Sequence, residues 1–193
     1  MYKLPHLKMS ATFVLIILCA ILLVENLWLQ FSSATLRKQL AASTATSQAS
    51  PGATVPQLRG HTMAGNTVSY PFPDSEDTLV LVFSKTCGWC NQNWPHWQQL
   101  LSAGLKINPV LVDLSRSVGP SYLLAHHVET LPLIHELDPA MLEPYKFRFT
   151  PQTILVGPGG KVKAVWTGEL TVSDLNDIAT RANLDATEHL SKR

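Results

Sequence analysis

The sequence predicts an α/β domain with a central mixed sheet flanked by helices, preceded by an N-terminal transmembrane helix. Three observations support this prediction. An apolar run occupies residues 11–31, and two further apolar runs, at residues 78–83 and 109–114, are typical of strands buried on both faces. Residues 152–166 have the pattern of an antiparallel hairpin around a Gly-rich turn. We expect a single domain over residues 58–193.

The apolar run at residues 11–31 is about as long as one helix across a bilayer. Residues 1–10 would then be a short cytoplasmic N-terminus. Positive charges flank the run almost equally, but an anchor this close to the N-terminus usually exports the rest of the chain. We expect a single-pass protein of the bacterial inner membrane, with its domain in the periplasm. A cleaved signal peptide is the alternative, with Ser32–Ala34 as the cleavage site. Cys19 comes after Leu18, which is too large for a lipidation signal.

Residues 32–57 are rich in Ser, Thr, Ala and Gln, which indicates a flexible linker between anchor and domain. From residue 58 onward the chain carries 11 Lys and Arg against 13 Asp and Glu. No basic face therefore argues for nucleic acid binding. The chain has three cysteines, too few for a scaffold held by disulfides, and Cys19 lies in the apolar run. The domain itself contains one spaced pair.

The pattern within the domain predicts its main elements. Gly65-Asn66 between two short segments indicates a hairpin turn. A helix is expected from Gly88 to a stop at Gly104, with Pro95 inside it. Residues 116–147 have helical character broken by prolines, and we expect a helical insertion there. Thr171, Ser173 and Asp174 mark the start of a last helix.

Cys87 and Cys90 lie where the first buried strand of the domain gives way to a helix. Two cysteines at this spacing on the first helical turn can close a small disulfide ring. The helix N-terminus presents unpaired N–H groups and about half a positive charge, which stabilises a thiolate on the first cysteine. Cys87 is therefore predicted to be the exposed nucleophile, and Cys90 the thiol that resolves a mixed disulfide. No cofactor is expected beyond this redox-active pair.

Other uses of a Cys-x-x-Cys pair fit the sequence less well. A zinc site needs two more ligands, no second cysteine pair exists, and His96 would lie on the wrong part of the helix. Haem attachment needs His directly after the second cysteine, where Asn91 stands. A structural disulfide in so small a ring would restrain little chain. We expect no metal site, and interpret His126, His127 and His135 as surface or core histidines.

The segment Leu79–Leu101 (LVLVFSKTCGWCNQNWPHWQQLL) resembles the active-site segment of thioredoxin-fold proteins, including a proline five residues after the second cysteine. The segment Tyr145–Gly168 (YKFRFTPQTILVGPGGKVKAVWTG) resembles the second half of the membrane-anchored TlpA/ResA-like disulfide reductases. There a Thr/Val-Pro pair precedes a strand, a Gly-rich turn and a second strand. The resemblance covers most of residues 57–182 and implies a thioredoxin-like fold.

The resemblance also implies roles for residues around the cysteines. Pro151 would be a cis-proline packed against the disulfide, and Thr150 would offer its backbone to a bound substrate chain. Gly88 and Trp89 complete the active-site motif. Trp89 would either contact the substrate at the rim of the site or partly cover the second cysteine.

Two positions depart from the resemblance. Thioredoxins often place a buried carboxylate six residues before the first cysteine, and here that position is Leu81. Water or another carboxylate, such as Glu143, would then accept the proton of the resolving thiol. The dipeptide between the cysteines, Gly88-Trp89, is neither Gly-Pro nor Pro-His. This dipeptide largely sets thiolate stability, and potentials in such proteins run from about −270 to −120 mV. The direction of electron flow therefore stays open.

These observations predict a protein-disulfide oxidoreductase that reduces disulfides in exported proteins, with apocytochrome c thiols as one candidate substrate. A membrane thiol electron donor would recharge it. A disulfide-introducing oxidase or an isomerase is the alternative within the same class. A copper-delivering metallochaperone using Cys87, Cys90 and a histidine is the alternative of another class, although such proteins usually space their cysteines by three residues. A thiol peroxidase is disfavoured, because its Pro-x-x-x-Thr-x-x-Cys signature is absent.

Overall fold

The computed structural model describes residues 16, 18–26, 28, 30 and 49–191, with side chains as far as residue 182. The chain divides into two units, Met1–Thr44 and Ala45–Arg193. The described residues of the first unit are helical. No helix among the described residues is long and apolar enough to cross a membrane. The predicted N-terminus at residues 1–10, part of the predicted anchor and most of the predicted linker lie outside the described residues.

The described part of the second unit contains eight strands in two sheets. The strands are β1 (Leu58–His61), β2 (Thr67–Tyr70), β3 (Asp77–Phe83), β4 (Ile107–Asp113), β5 (Leu133–Ile134), β6 (Glu136–Leu137), β7 (Gln152–Val156) and β8 (Val162–Thr167). A five-stranded sheet has the order β5-β4-β3-β7-β8, and a three-stranded sheet has the order β2-β1-β6. Strands β3, β4 and β5 run parallel, whereas β7 is antiparallel to β3 and β8. The larger sheet is therefore mixed, as predicted.

Helices complete the unit: α1 (Gly88–Ser102), α2 (Pro120–Ala125), α3 (Leu142–Tyr145) and α4 (Val172–Ser191). Side chains of α1, α2 and α4 share one apolar cluster with one face of the larger sheet. The opposite face packs against residues of β1 and of the segment around α3. The sheet is thus covered on both sides, which explains why its central strands have continuous apolar sequences.

Strand β3 is buried along its whole length, and it sets the position of the cysteines. Val80 and Val82 belong to the cluster on one face, while Leu81 and Phe83 belong to the cluster on the other. This alternation results from the two-residue period of a strand. Because β3 is held between β4 and β7, the loop after Phe83 starts from a fixed point at the end of the sheet.

The expected helical insertion over residues 116–147 is only partly correct. It contains α2, α3 and a 3-10 turn at Pro139–Met141, but also the short strands β5 and β6. Strand β5 lies parallel to β4 and forms the edge of the larger sheet, and β6 pairs with β1. Pairing with neighbours stabilises these two-residue strands, which are too short to show a period in the sequence.

The prediction of a flexible linker over residues 32–57 was wrong for the last part of that range. The backbone N–H of Gly52 donates to the Val162 carbonyl at 2.7 Å, and that of Val55 donates to the Gly160 carbonyl at 2.9 Å. Val55 is buried in the core. A Cβ atom at Gly160 would lie 2.3 Å from the Val55 carbonyl oxygen, so glycine is needed for this approach. The domain therefore begins before residue 58.

Candidate active site

The loop after β3 delivers Cys87 to the first turn of α1. The Cys87 N–H donates to the Ser84 carbonyl at 3.1 Å, which closes the turn. Cys87 itself has an extended backbone and is the N-cap of α1, with its Sγ accepting from the Cys90 N–H at 3.3 Å. A cysteine sulfur thus takes the place of the usual side-chain oxygen at a helix N-cap. The sulfur is held where the helix presents its unpaired N–H groups.

Cys87 is partly exposed, and its thiol donates to the Thr150 carbonyl at 3.3 Å. Burial of the sulfur opposes ionisation. Hydrogen bonds from the side chains of Cys90 and Thr150 and from the backbone N–H groups of Cys90 and Trp89 outweigh it. The pKa of Cys87 is therefore lowered from its usual value of 9.0. This direction agrees with the prediction that Cys87 is the nucleophile.

Cys90 has the opposite environment. Its side chain is fully buried in the apolar cluster that includes Phe83 and Trp94. Burial, followed by the hydrogen bond with Cys87, raises the pKa of Cys90 to about 12. Both cysteines are free thiols in this structure. The pair thus consists of one accessible sulfur that ionises readily and one inaccessible sulfur that holds its proton.

The peptide bond between Thr150 and Pro151 is cis, as the resemblance implied. Pro151 is buried and leads directly into β7, so the hairpin of β7 and β8 holds it at the end of the sheet that carries the cysteines. The contact between the Cys87 thiol and the Thr150 carbonyl joins the two segments. The binding of a substrate chain to the Thr150 backbone stays a prediction.

Gly88 and Trp89, between the cysteines, are both exposed. Trp89 is 63% exposed, whereas Cys90 is fully buried among other side chains. This favours a position of Trp89 at the rim over a covering role. At Gly88 a Cβ atom would meet nothing within 4 Å, so the local space does not require glycine there. The contact of Trp89 with a substrate stays a prediction.

The substitute proton acceptor suggested for Cys90 has other partners. Glu143 is exposed, and its carboxylate contacts Lys146 Nζ at 2.6 Å and Arg148 Nη2 at 3.2 Å. The hydrogen bond and charge of Lys146 lower the pKa of Glu143. Glu143 is thus bound to cations of its own segment, and the proposal that it accepts the proton was wrong. Leu81, where thioredoxins often have a carboxylate, is fully buried in the cluster that also contains Cys90.

A hydrogen-bonded aromatic group borders the buried cysteine. The Trp94 Nε1–H donates to the Tyr122 hydroxyl at 2.9 Å, and that hydroxyl donates to Asn91 Oδ1 at 3.0 Å. His126 stacks on the Trp94 ring with centroids 4.5 Å apart, and its burial lowers its pKa. His126 is therefore a packed histidine. Sequence spacing places Trp94 in the core but gives no sign of Tyr122, which comes from another helix.

A second buried polar group braces the loop before the cysteines. The carboxylate of Asp113, at the end of β4, is fully buried and accepts from the N–H groups of Ser115, Ser117 and Val118. The Ser115 hydroxyl in turn accepts from the Lys85 N–H at 3.2 Å. His135 Nδ1 lies 3.3 Å from Asp113 Oδ2.

Among the described residues, no group of three or more His, Cys, Asp or Glu side chains could hold a metal ion.

Asn93 is a further buried residue of α1 that sequence analysis missed. Its side chain is fully buried, and its Oδ1 accepts from the Leu170 N–H at 2.8 Å. Leu170 lies in the loop after β8, and the Gly168 N–H of the same loop donates to the Pro151 carbonyl at 2.9 Å. The only signal in the sequence was a polar residue on the apolar side of the helix.

Comparison with known proteins yields similarity in structure but not in sequence families. No model of a protein family matches the chain, and no curated protein matches it. The thioredoxin domain of a thiol-disulfide oxidoreductase from Bacteroides vulgatus is 23% identical, with a TM-score of 0.57 over 69% of this chain and 98% of that one. A putative thiol:disulfide interchange protein, DsbE, from Chlorobium tepidum is 18% identical, with a TM-score of 0.52 over 70% of this chain and 96% of that one.

A peroxiredoxin-like protein from Aquifex aeolicus is also similar, at 10% identity and a TM-score of 0.55, over 70% of this chain and 88% of that one. At these identities the similarity defines the architecture and leaves the activity to be argued from the site. The mixed sheet, the cysteine pair at the start of α1 and the cis-proline opposite it are consistent with the same architecture. The second unit of this chain has the thioredoxin-like fold.

Proposed function

We propose that this protein is a thiol-disulfide oxidoreductase that reduces disulfides in exported proteins through Cys87 and Cys90. The contrast between the two sulfurs carries the proposal. Cys87 is partly exposed with a lowered pKa, and Cys90 is buried with a pKa raised to about 12. This asymmetry suits thiol exchange, in which one thiolate attacks and a second thiol waits.

The reaction has two steps in this arrangement. The Cys87 thiolate attacks one sulfur of a substrate disulfide, the substrate S–S bond breaks, and a mixed disulfide forms while the other substrate sulfur leaves as a thiolate. Cys90 then gives up its proton, the leaving substrate sulfur being one acceptor, and attacks Cys87. The mixed disulfide breaks, the second substrate sulfur takes a proton from water so that the substrate leaves as a dithiol, and Cys87 and Cys90 become a disulfide. Two electrons pass to the substrate.

The location and partners are part of the proposal. The apolar run at residues 11–31 supports a membrane-anchored protein of the bacterial inner membrane with a periplasmic domain. Exported protein disulfides, including those of apocytochrome c, would be the substrates, and a membrane thiol donor would return the two electrons. The name of one structural neighbour, a thiol:disulfide interchange protein, agrees with the exchange reaction. Alkaline phosphatase fused to the C-terminus should be active in cells, and an inactive, stable fusion would contradict a periplasmic domain.

Insulin reduction tests the activity, using the full chain in detergent with dithiothreitol as the electron source. The wild type should accelerate precipitation of the insulin B chain, and Cys87→Ser should abolish the effect. The equilibrium potential of the pair against glutathione then gives the direction of electron flow. A potential near −120 mV would support the oxidase alternative, whereas one near −270 mV would support reduction.

Trapping in cells tests the order of the two cysteines. Cys90→Ser leaves Cys87 able to attack but removes the resolving thiol, so mixed disulfides with exported proteins should accumulate. Cys87→Ser is the matched control and should trap none. Capture by Cys87→Ser alone would reverse the assigned roles.

Tight Cu(I) binding that depends on His126, His127 or His135, together with no insulin reduction, would support the metallochaperone instead.

A further inference from the structure

The loop Gly168–Thr171, between β8 and α4, is fixed by three hydrogen bonds, one of them to the cis-proline. The Gly168 N–H donates to the Pro151 carbonyl at 2.9 Å. The Leu170 N–H donates to Asn93 Oδ1 at 2.8 Å, and the Thr171 N–H donates to Asp174 Oδ2 at 2.8 Å. The loop's central residues point in different directions, since Leu170 is buried and Glu169 is exposed.

Of these three hydrogen bonds, the one to Asn93 differs from the others in the elements that it connects. It joins the loop to α1, the helix that carries both cysteines, whereas the other two join it to its own neighbours in the fold. Asn93 lies three residues after Cys90 and is fully buried. Its Nδ2 has no hydrogen-bond partner in the described structure. A buried amide with an unused donor is costly, which argues that the acceptor contributes something that an apolar side chain would not.

We infer that Asn93 is a positioning residue that holds the Gly168–Thr171 loop against the active-site helix, so that the loop and Thr150 flank a polypeptide bound at Cys87. The inference rests on the proposed function. It concerns polypeptide substrates, which are large enough to meet the loop and Thr150 while bound at Cys87. A small disulfide needs to reach only the partly exposed sulfur of Cys87.

The expected effect of removing Asn93 comes from the Leu170 N–H, which would lose its hydrogen-bond acceptor. Leu170 is 2% exposed, so water does not readily replace Asn93. The loop would have to move outward to hydrate the freed N–H group, and it would leave its position next to Pro151. Substrate binding would then have to order the loop again, which weakens binding without altering the sulfur that reacts.

The test compares two disulfides in the full-length protein. One is a cysteine-containing peptide disulfide, and the other is dithiodipyridine, a small neutral disulfide. Asn93→Leu removes the acceptor at similar volume, and Asn93→Asp retains an oxygen that can accept from Leu170. Thr153→Val is the matched control, because Thr153 Oγ1 accepts a comparable buried bond from the Trp97 Nε1–H on the same helix, at 2.8 Å.

Asn93→Leu should raise KM for the peptide about tenfold with little change in kcat, and change the rate with dithiodipyridine by less than about twofold. Asn93→Asp should restore the ratio of the two rates, and Thr153→Val should leave that ratio at the wild-type value. Hydrogen exchange supplies a readout without activity: the Leu170 amide should lose protection in Asn93→Leu and keep it in Asn93→Asp. Asn93→Ala serves the same purpose if the leucine variant does not fold.

Equal losses with both disulfides, or no loss with the peptide, would overturn the positioning role. Unchanged protection of the Leu170 amide in Asn93→Leu would overturn it as well. A wild-type protein that reduces neither disulfide would instead contradict the proposed function, so the two failures are distinct.

Discussion

Alkylation of the reduced protein should discriminate strongly between the two cysteines. Cys90 has a pKa of about 12, and Cys87 has one below 9.0. At pH 7, a pKa of 9 gives a thiolate fraction of about 1%, and a pKa of 12 gives about 0.001%, so Cys87 is at least about 1,000-fold more ionised. A more basic thiolate is intrinsically more nucleophilic, and this raises the relative alkylation rate at Cys90 by about 15- to 30-fold. A preference of at least about 30-fold for Cys87 remains before burial of Cys90 is counted.

The assay is iodoacetamide labelling of the reduced full chain, quenched at intervals and measured by mass spectrometry of the separated peptides. A Cys19→Ser background removes the third thiol. The rate at Cys87 should rise with pH and level off below pH 9.0, the usual pKa of a cysteine. Equal rates at the two cysteines, or faster labelling of Cys90, would refute the reasoning. Labelling of Cys87 that still rises in proportion to hydroxide at pH 9 would refute the lowered pKa.

Three further outcomes test the packing and titration of the domain. Lys163→Met leaves the buried Asp77 carboxylate without a cation that now lies 2.7 Å away, and the free energy of unfolding in urea should fall by about 3 kcal/mol or more; no loss would contradict this ion pair. Gly60→Ala places a Cβ atom 2.3 Å from the Glu136 carbonyl oxygen and should cost about 1–3 kcal/mol in the same measurement, whereas a neutral result would show that β1 and β6 can separate freely. Burial lowers the pKa of His126 from 6.5, so the unfolded chain binds the proton first and stability should fall as pH drops through 6.5. His126→Phe should reduce this dependence of stability on pH, and an unchanged dependence would show that other groups cause it.

The sequence contained enough information to predict the centre of the fold. Strand β3 is buried on both faces, and such burial leaves a continuous apolar sequence that is easy to recognise. The hairpin of β7 and β8 was equally clear, because a Gly-rich turn separates two β-rich segments. The position of the cysteine pair at the start of α1 is evident from the change from strand to helix at Gly88. These features depend on local sequence.

The features that were missed depend on contacts between distant parts of the chain. Strands β5 and β6 have two residues each, and their pairing with β4 and β1 determines their conformation. Val55 docks on the turn at Gly160, although the surrounding composition is that of a linker. Asn93 meets Leu170 across 77 positions of sequence, and no local pattern indicates that pairing. A single sequence gives the type of each side chain but not the loop that folds against it.

The high pKa of Cys90 also fixes how many protons accompany the electrons. Oxidation of the dithiol releases two electrons, together with two protons when the pH is below the pKa of Cys87. Above that pKa only the proton of Cys90 is released, and this continues up to about pH 12. The midpoint potential should therefore fall by about 59 mV per pH unit on the acid side and by about 30 mV on the alkaline side. The pH at which the slope changes gives the pKa of Cys87 at equilibrium, with no reagent attached to the protein.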